Sequence, residues 1–275
     1  MIVDIHNHIL PGLDDGPQNW DEMILLAKQA VNSGINRVIA TPHHKHHHKD
    51  HFYENNPIKI IRLVEKANDI LEKNAVPLTI YPGIEFHLHD QIKLDIEQKI
   101  EDFLTLNNTG KYMLIEPPCH HLPEETDEAF KLLQTAGFVP IIAHPERNRI
   151  LRSNPSIIYN WVKAGILVQV TAGSINGTHG KRLKNFSLHL LDHELVHFVA
   201  SDAHHHVRRQ FELISSYKYI ENHYSLNYRK YLEVNALHTI NGAEIKISEP
   251  TFIGKRRQYF FFYNHPLNHV RENSK

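Results

Sequence analysis

The chain of 275 residues is 41% hydrophobic and 22% charged, a profile that allows a substantial buried core. A formal net charge of −1 offers no field for nucleic acid or an anionic membrane, and a single cysteine, Cys119, excludes an intrachain disulfide and suits a cytoplasmic setting. The segment after Met1 has neither the basic and apolar regions of a signal peptide nor a run long enough for a transmembrane helix, so no direct membrane insertion is expected.

The hydrophobic pattern predicts seven short strands alternating with helices. The first strand, Ile2–Ile5, runs into His6-Asn7-His8, with Asp14-Asp15 beyond. A helix follows, with Trp20, Met23, Ile24, Ala27, Ala30 and Val31 at helical spacing and Gly34 as its stop signal. The second strand, Arg37–Thr41, ends in Pro42-His43-His44. The run His44, His46, His47, His48 and His51 is interleaved with Lys45 and Lys49 and reads as a solvated loop at the mouth. A helix over Pro57–Lys73 leads to the third strand, Leu78–Tyr81, and on to Gly83-Ile84-Glu85. The fourth strand, Met113–Glu116, closes on its own carboxylate before a helix at Glu125–Ala136. The fifth, Val139–Ala143, delivers His144-Pro145-Glu146-Arg147. Helices at Ser156–Ala164 and Lys181–His193 bracket the sixth strand, Leu167–Val170, and the seventh, His197–Ala200, ends in Ser201-Asp202-Ala203-His204. The alternation stops near Ser248. We therefore divide the chain into an α/β unit, 1–248, and a tail, 249–275, whose basic and aromatic residues suit a packed end or a homo-oligomer contact.

Strand and helix taking turns predicts a parallel α/β fold, either a barrel or an open sheet, and no GxGxxG follows the first strand to suggest a dinucleotide site. In such folds ligands bind beyond the carboxyl ends of the strands. Six of the seven strands carry an imidazole or carboxylate to that edge. Composition adds weight, because the chain holds 24 histidines and neutral imidazole is the commonest metal ligand. His6 and His8, two apart, can share one face of a strand. Histidine and carboxylate donors without a thiolate cluster suit Mn, Fe or Zn, and shared carboxylates suit a two-metal hydrolase. His87 and His89, two and four residues past Glu85, are rival ligands on the same stretch. His120 and His121 are expected to shape the loop after Glu116.

The string Asp4-x-His6-x-His8-Ile9-Leu10-Pro11-Gly12-x-Asp14-Asp15-Gly16 resembles the polymerase and histidinol phosphatase (PHP) superfamily. Within it the chain is similar to the bacterial metal-dependent tyrosine-protein phosphatases of capsule and exopolysaccharide systems. Further matches are Ala40-Thr41-Pro42-His43, Gly83-x-Glu85, Ala143 to Asn148, Thr171-Ala172-Gly173-Ser174 and Ala200 to His204, so the resemblance runs from Met1 to about Gly242. It implies a distorted seven-stranded (β/α) barrel with two to three divalent ions, manganese foremost, at the C-terminal ends of the strands. The implied ligands are His6, His8, Glu85 and Asp202 for one ion, a bridging Glu85 with Glu116 and His144 for a second, and Asp15, His43 and His204 for a third. Arg147 and Arg209 are the implied phosphate clamp, with Arg208 adjacent to the latter.

The expected reaction is hydrolysis of phosphotyrosine on a protein, and the implied partner is a bacterial tyrosine autokinase of polysaccharide export. Metal-activated hydroxide would attack phosphorus while a guanidinium fork holds the phosphate. The rivals are a small-molecule phosphatase such as histidinol phosphatase, a PHP-type nuclease, which neutral charge disfavours, and a non-catalytic metal store, which has no use for Arg147. A cysteine mechanism is excluded, because no arginine-closed phosphate loop follows Cys119, which reads as a small loop hydrophobe.

Overall fold

Short β-branched strands that are apolar on both faces demand cover on both sides, which parallel strands with crossover helices provide. A computed structural model describes residues 1–48, 50–100 and 103–253; of the tail, 254–275 lie outside the described residues. The fold is mixed α/β with parallel sheets. Strands β1 (Val3–Asn7), β2 (Arg37–Ala40) and β6 (Thr79–Pro82) form one sheet in the order β1-β2-β6. The second sheet runs β11-β10-β9-β8-β7-β3, built from β3 (His43–His44), β7 (Glu85–His87), β8 (Tyr112–Glu116), β9 (Val139–Ala143), β10 (Leu167–Thr171) and β11 (Phe198–Ala200). Strands β4 (His46–His48) and β5 (His51–Tyr53) pair antiparallel by themselves.

The seven expected strands are all present, but the described residues hold eleven. Two of the additions are continuations. Pro42, which has no N–H to give a ladder, separates β2 from β3, and Gly83 lies between β6 and β7. A Cβ on Gly83 would meet Ile39 Cγ2 at 2.8 Å, so close approach of the neighbouring strand requires glycine there. The other two, β4 and β5, fold the histidine run into a hairpin where a loop was expected.

Apolar residues alternate between two cores. Val3, Ile5, Ile39, Leu114, Ile141 and Phe198 belong to an inner cluster drawing on both sheets, which Ala236 and Ile240 of α10 (Leu226–Asn241) complete. Met113, Ile115, Ile142 and Val168 face outward to the helices. Those helices include α1 (Trp20–Asn32), α2 (Pro57–Lys73), α4 (Thr126–Thr135), α6 (Ser156–Lys163) and α8 (Lys181–Asp192), each close to its expected span. Helices α3 (Ile92–Lys99), α5 (Arg149–Ser153), α7 (Ala172–Asn176), α9 (Leu213–His223) and α10 were not expected. The start of the tail packs on the body, where Thr251 N–H donates to His193 O at 3.1 Å and Ile253 is buried. Among the described residues no helix is long and apolar enough to cross a membrane.

Candidate metal centre

The two-residue spacing on β1 puts His6 and His8 on one face, and their Nε2 atoms lie 3.4 Å apart in full burial. Each ring is fixed from behind. His6 Nδ1 donates to Gln169 Oε1 of β10 at 2.9 Å, and His8 Nδ1 donates to Asp14 Oδ2 at 2.6 Å. With the proton held on Nδ1, each Nε2 lone pair is turned inward. Asp14 is held in turn by the backbone N–H groups of His43, at 3.0 Å, and Gly16, at 3.0 Å.

Around this pair the strand ends converge. His6 Nε2 lies 3.1 Å from Glu85 Oε1 and 3.5 Å from Asp202 Oδ1, and His144 Nε2 lies 2.9 Å from Glu85 Oε1. His43 Nδ1 lies 2.9 Å from Glu85 Oε2, while Asp15 Oδ1 lies 3.2 Å from His204 Nε2 and 3.5 Å from His43 Nε2. Donor atoms mutually within 4.8 Å form four groups: His6, His8 and Asp202; His6, Glu85 and His144; His8, Asp15, His43 and His204; and His43, His46 and Glu116. All nine residues expected as ligands therefore meet in one cluster.

The fit to a cation rests on the atoms themselves. Asp15 Oδ1, His43 Nδ1, Glu85 Oε2, Asp202 Oδ1 and His204 Nε2 are buried with no hydrogen-bond partner, although they crowd within a few ångströms of one another. Buried polar atoms left unsatisfied in this way are rare and costly. Divalent cations shared among these groups would satisfy them, and an all-nitrogen-and-oxygen set suits a hard or borderline metal.

Electrostatics point the same way. Burial disfavours charge on Glu85, yet His6 and His43 hold its carboxyl well below the ordinary range. Burial likewise opposes ionised Asp202, and Arg147 and Arg209 overcome it. His204 is pushed down to about 4 by burial, then by His8 and Arg209, which leaves a neutral imidazole.

Both arginines reach the centre. Arg147 Nη2 lies 2.5 Å and Arg209 Nη2 2.6 Å from the same Asp202 Oδ2, and Arg209 Nη1 lies 3.8 Å from Asp15 Oδ2. Both border an open pocket of about 310 Å³ with Arg208, His179 and Thr178. Two of the converging residues sit in strained backbone: His144 has φ 30° and Asp202 φ 54°, the left-handed region that L-residues rarely occupy.

One neighbour was not foreseen: His46, expected in solvent, is half-buried with Nδ1 2.6 Å from Glu116 Oε2. Of the two rival ligands, His87 does reach the centre, its Nδ1 3.0 Å from that same oxygen. The rival His89 turns away to Asp95, at 3.2 Å. His120 and His121 are exposed, and their loop is tied down by Asn148 Nδ2, which donates to His121 O at 2.9 Å. Cys119 is exposed rather than packed, and partial desolvation followed by Glu116 pushes its thiol up, the wrong direction for a nucleophile.

The chain is similar over 261 residues, at 38% identity, to the tyrosine-protein phosphatase YwqE of Bacillus subtilis, covering 95% of this chain and 100% of YwqE. Its fold superposes with a TM-score of 0.85 and 37% identity on a solved chain described among YwqE of B. subtilis and CpsB of Streptococcus pneumoniae, metal-dependent tyrosine phosphatases, over 92% of this chain and 100% of that one. A histidinol phosphate phosphatase from Lactococcus lactis shares the fold at a TM-score of 0.52 and 12% identity, over 80% of this chain and 92% of its own. A model of the capsular polysaccharide synthesis family CpsB/CapC matches residues 2–241, and the chain belongs to that family.

Proposed function

We propose that the protein is a metal-dependent protein-tyrosine phosphatase acting in capsular or exopolysaccharide synthesis. The observation that carries this reading is the clustered set of buried, unsatisfied nitrogen and oxygen donors with two guanidinium groups at its rim. The family and its named relatives supply the substrate class.

The site residues divide by role. His6, His8, Glu85 and Asp202 would hold one ion, Glu85 with Glu116 and His144 a second, and Asp15, His43 and His204 a third. Manganese is the native metal we favour, with iron or zinc as alternatives. Divalent ions held there would supply hydroxide at neutral pH and neutralise phosphate oxygens. Arg147 and Arg209 orient the phosphate, since a guanidinium has five donors and can serve Asp202 and phosphate together. Asp14 and Gln169 hold the imidazoles of His8 and His6 in the tautomer that presents Nε2. A phenolate leaving group, with a reference pKa of about 10, departs without a strong general acid.

The two sheets are read as parts of one distorted seven-stranded barrel formed by residues 1–248. In its favour are the inner core common to both sheets, the Asn7–Ala203 bridge, and the donation of Asp202 N–H to His6 O at 2.8 Å and of Glu85 N–H to Pro42 O at 3.1 Å. The partner is a cytoplasmic segment of a tyrosine autokinase, and a contact between copies of the chain is the role we assign to the tail.

Turnover of a phosphotyrosine peptide and of histidinol phosphate, measured side by side in loaded and metal-stripped protein, tests the proposal. The phosphotyrosine peptide should be the better substrate, with activity lost on stripping and restored by Mn, Fe or Zn. Full activity in stripped protein, or preference for histidinol phosphate, refutes it.

A further inference from the structure

Beside the metal centre lies a second concavity that the catalytic reading does not use. It is a groove of about 500 Å³ between α5 and α8, lined by Arg149, Arg152, Arg182, Asn185 and His189. Its arginines form no ion pair among the described residues, the Glu146 carboxylate acting on Arg152 only from a distance. Among the described residues the arginine ion pairs involve Arg147, Arg209 and Arg229, and none of the groove's three. Arg152 Nη1 donates to Glu146 O at 2.6 Å, but its Nε is buried without an acceptor. Its guanidinium is pulled below its ordinary value by burial and then by the like charge of Arg182. Helix α8 opens with Lys181, Arg182 and Lys184 and has no acidic residue in its first turn. Positive charge at that end opposes the helix dipole and raises the local potential further.

The groove and the pocket beside Asp202 are lined by neighbouring stretches of chain. Thr178 and His179 border that pocket and Arg182 and Asn185 border the groove, while α8 packs against the turn Pro145–Arg147. Arg147 and Arg149 are two residues apart, so their Cα atoms are separated by about 7 Å at most. An extended peptide advances about 3.3–3.6 Å per residue.

We infer that this groove receives an anionic side chain, a carboxylate or a second phosphate, two to four residues from the phosphotyrosine on the same peptide. The inference rests on the phosphatase reading and adds to it a rule of substrate selection, with Arg182 as the exposed determinant.

The test compares kcat and KM for p-nitrophenyl phosphate and three phosphotyrosine peptides: one with neutral flanks, one with Asp or Glu at the stated spacing, and one with a second phosphotyrosine there. Wild type should favour the anionic peptides by about tenfold in kcat/KM, through KM, with the preference shrinking as salt rises. Arg182→Glu should erase the preference while turnover of p-nitrophenyl phosphate and the neutral peptide stays unchanged, and Arg182→Lys should keep most of it. The ratio of the two anionic peptides identifies which group the groove favours. Turnover of every substrate without preference, or an equal loss on all of them in Arg182→Glu, overturns the inference alone. No turnover of any substrate by wild type overturns the phosphatase reading and the inference with it.

Discussion

Replacing Asp14 by asparagine changes no expected ligand, yet it should loosen the centre. The carboxylate takes four roles with two oxygens: Oδ2 accepts from His8 Nδ1 at 2.6 Å and from His43 N–H at 3.0 Å, and Oδ1 accepts from Gly16 N–H at 3.0 Å while its charge favours the Nδ1 proton. An amide has one acceptor oxygen. If it faces His8 and His43, the NH₂ confronts the Gly16 N–H; in the opposite orientation it confronts two donors. At least one buried donor is orphaned, at a cost of about 1–3 kcal/mol. His8 also loses the charge that orients it, and losses of second-sphere partners of this kind reduce metal affinity by about 10- to 100-fold, or ~1.4–2.7 kcal/mol. Competition against a chelator of known affinity, with metal counted by elemental analysis, reads the loss, and circular dichroism checks the fold. Folded Asp14→Asn protein that holds metal within about twofold of wild type would sink the orienting role.

Other substitutions separate the remaining roles. Glu85→Ala should lose more than one equivalent of metal and Asp15→Ala mainly one; equal single losses on elemental analysis would show that Glu85 does not bridge. Arg147→Lys should keep metal content and Tm while kcat/KM on phosphotyrosine peptide drops by roughly tenfold or more, equivalent to ~1.4 kcal/mol. Early melting with normal turnover would make Arg147 a structural pin for Asp202. Cys119→Ser should leave turnover nearly intact, whereas complete loss in a folded protein would revive a thiolate mechanism. His46→Ala should weaken metal retention; unchanged metal content and activity would return the β4–β5 hairpin to a solvent-facing role.

Much of this arrangement was legible in the chain because local pattern and tertiary role agree there. Val3, Ile5, Leu114 and Ile141 are strand residues by type and by burial, and the polar residues closing each strand stand out against them. The centre was readable for the same reason, since His6, His8, His144 and Asp202 are polar where packing alone would favour apolar residues. Helix α10 escaped because its buried stripe includes Asn235 and Thr239, which breaks the amphipathic signal. Their polarity is satisfied by His197 O at 3.0 Å and Ala236 O at 2.7 Å, partners that exist only in the folded chain. His46 was hidden by repetition. Among several neighbouring histidines, periodicity cannot single out the one that a hairpin turns back toward Glu116. The carboxylate shared by Arg147 and Arg209 was equally invisible, because Asp202 is 55 positions from one and seven from the other.

The left-handed backbone at His144 and Asp202 sets selection for stability against selection for activity. Each such conformation costs about 1–3 kcal/mol. Glycine at either position would relax the chain while deleting a side chain the centre draws on. Directed evolution of this protein for heat resistance alone should therefore favour His144→Gly over Asp202→Gly, because the latter strands Arg147 and Arg209 without their shared carboxylate.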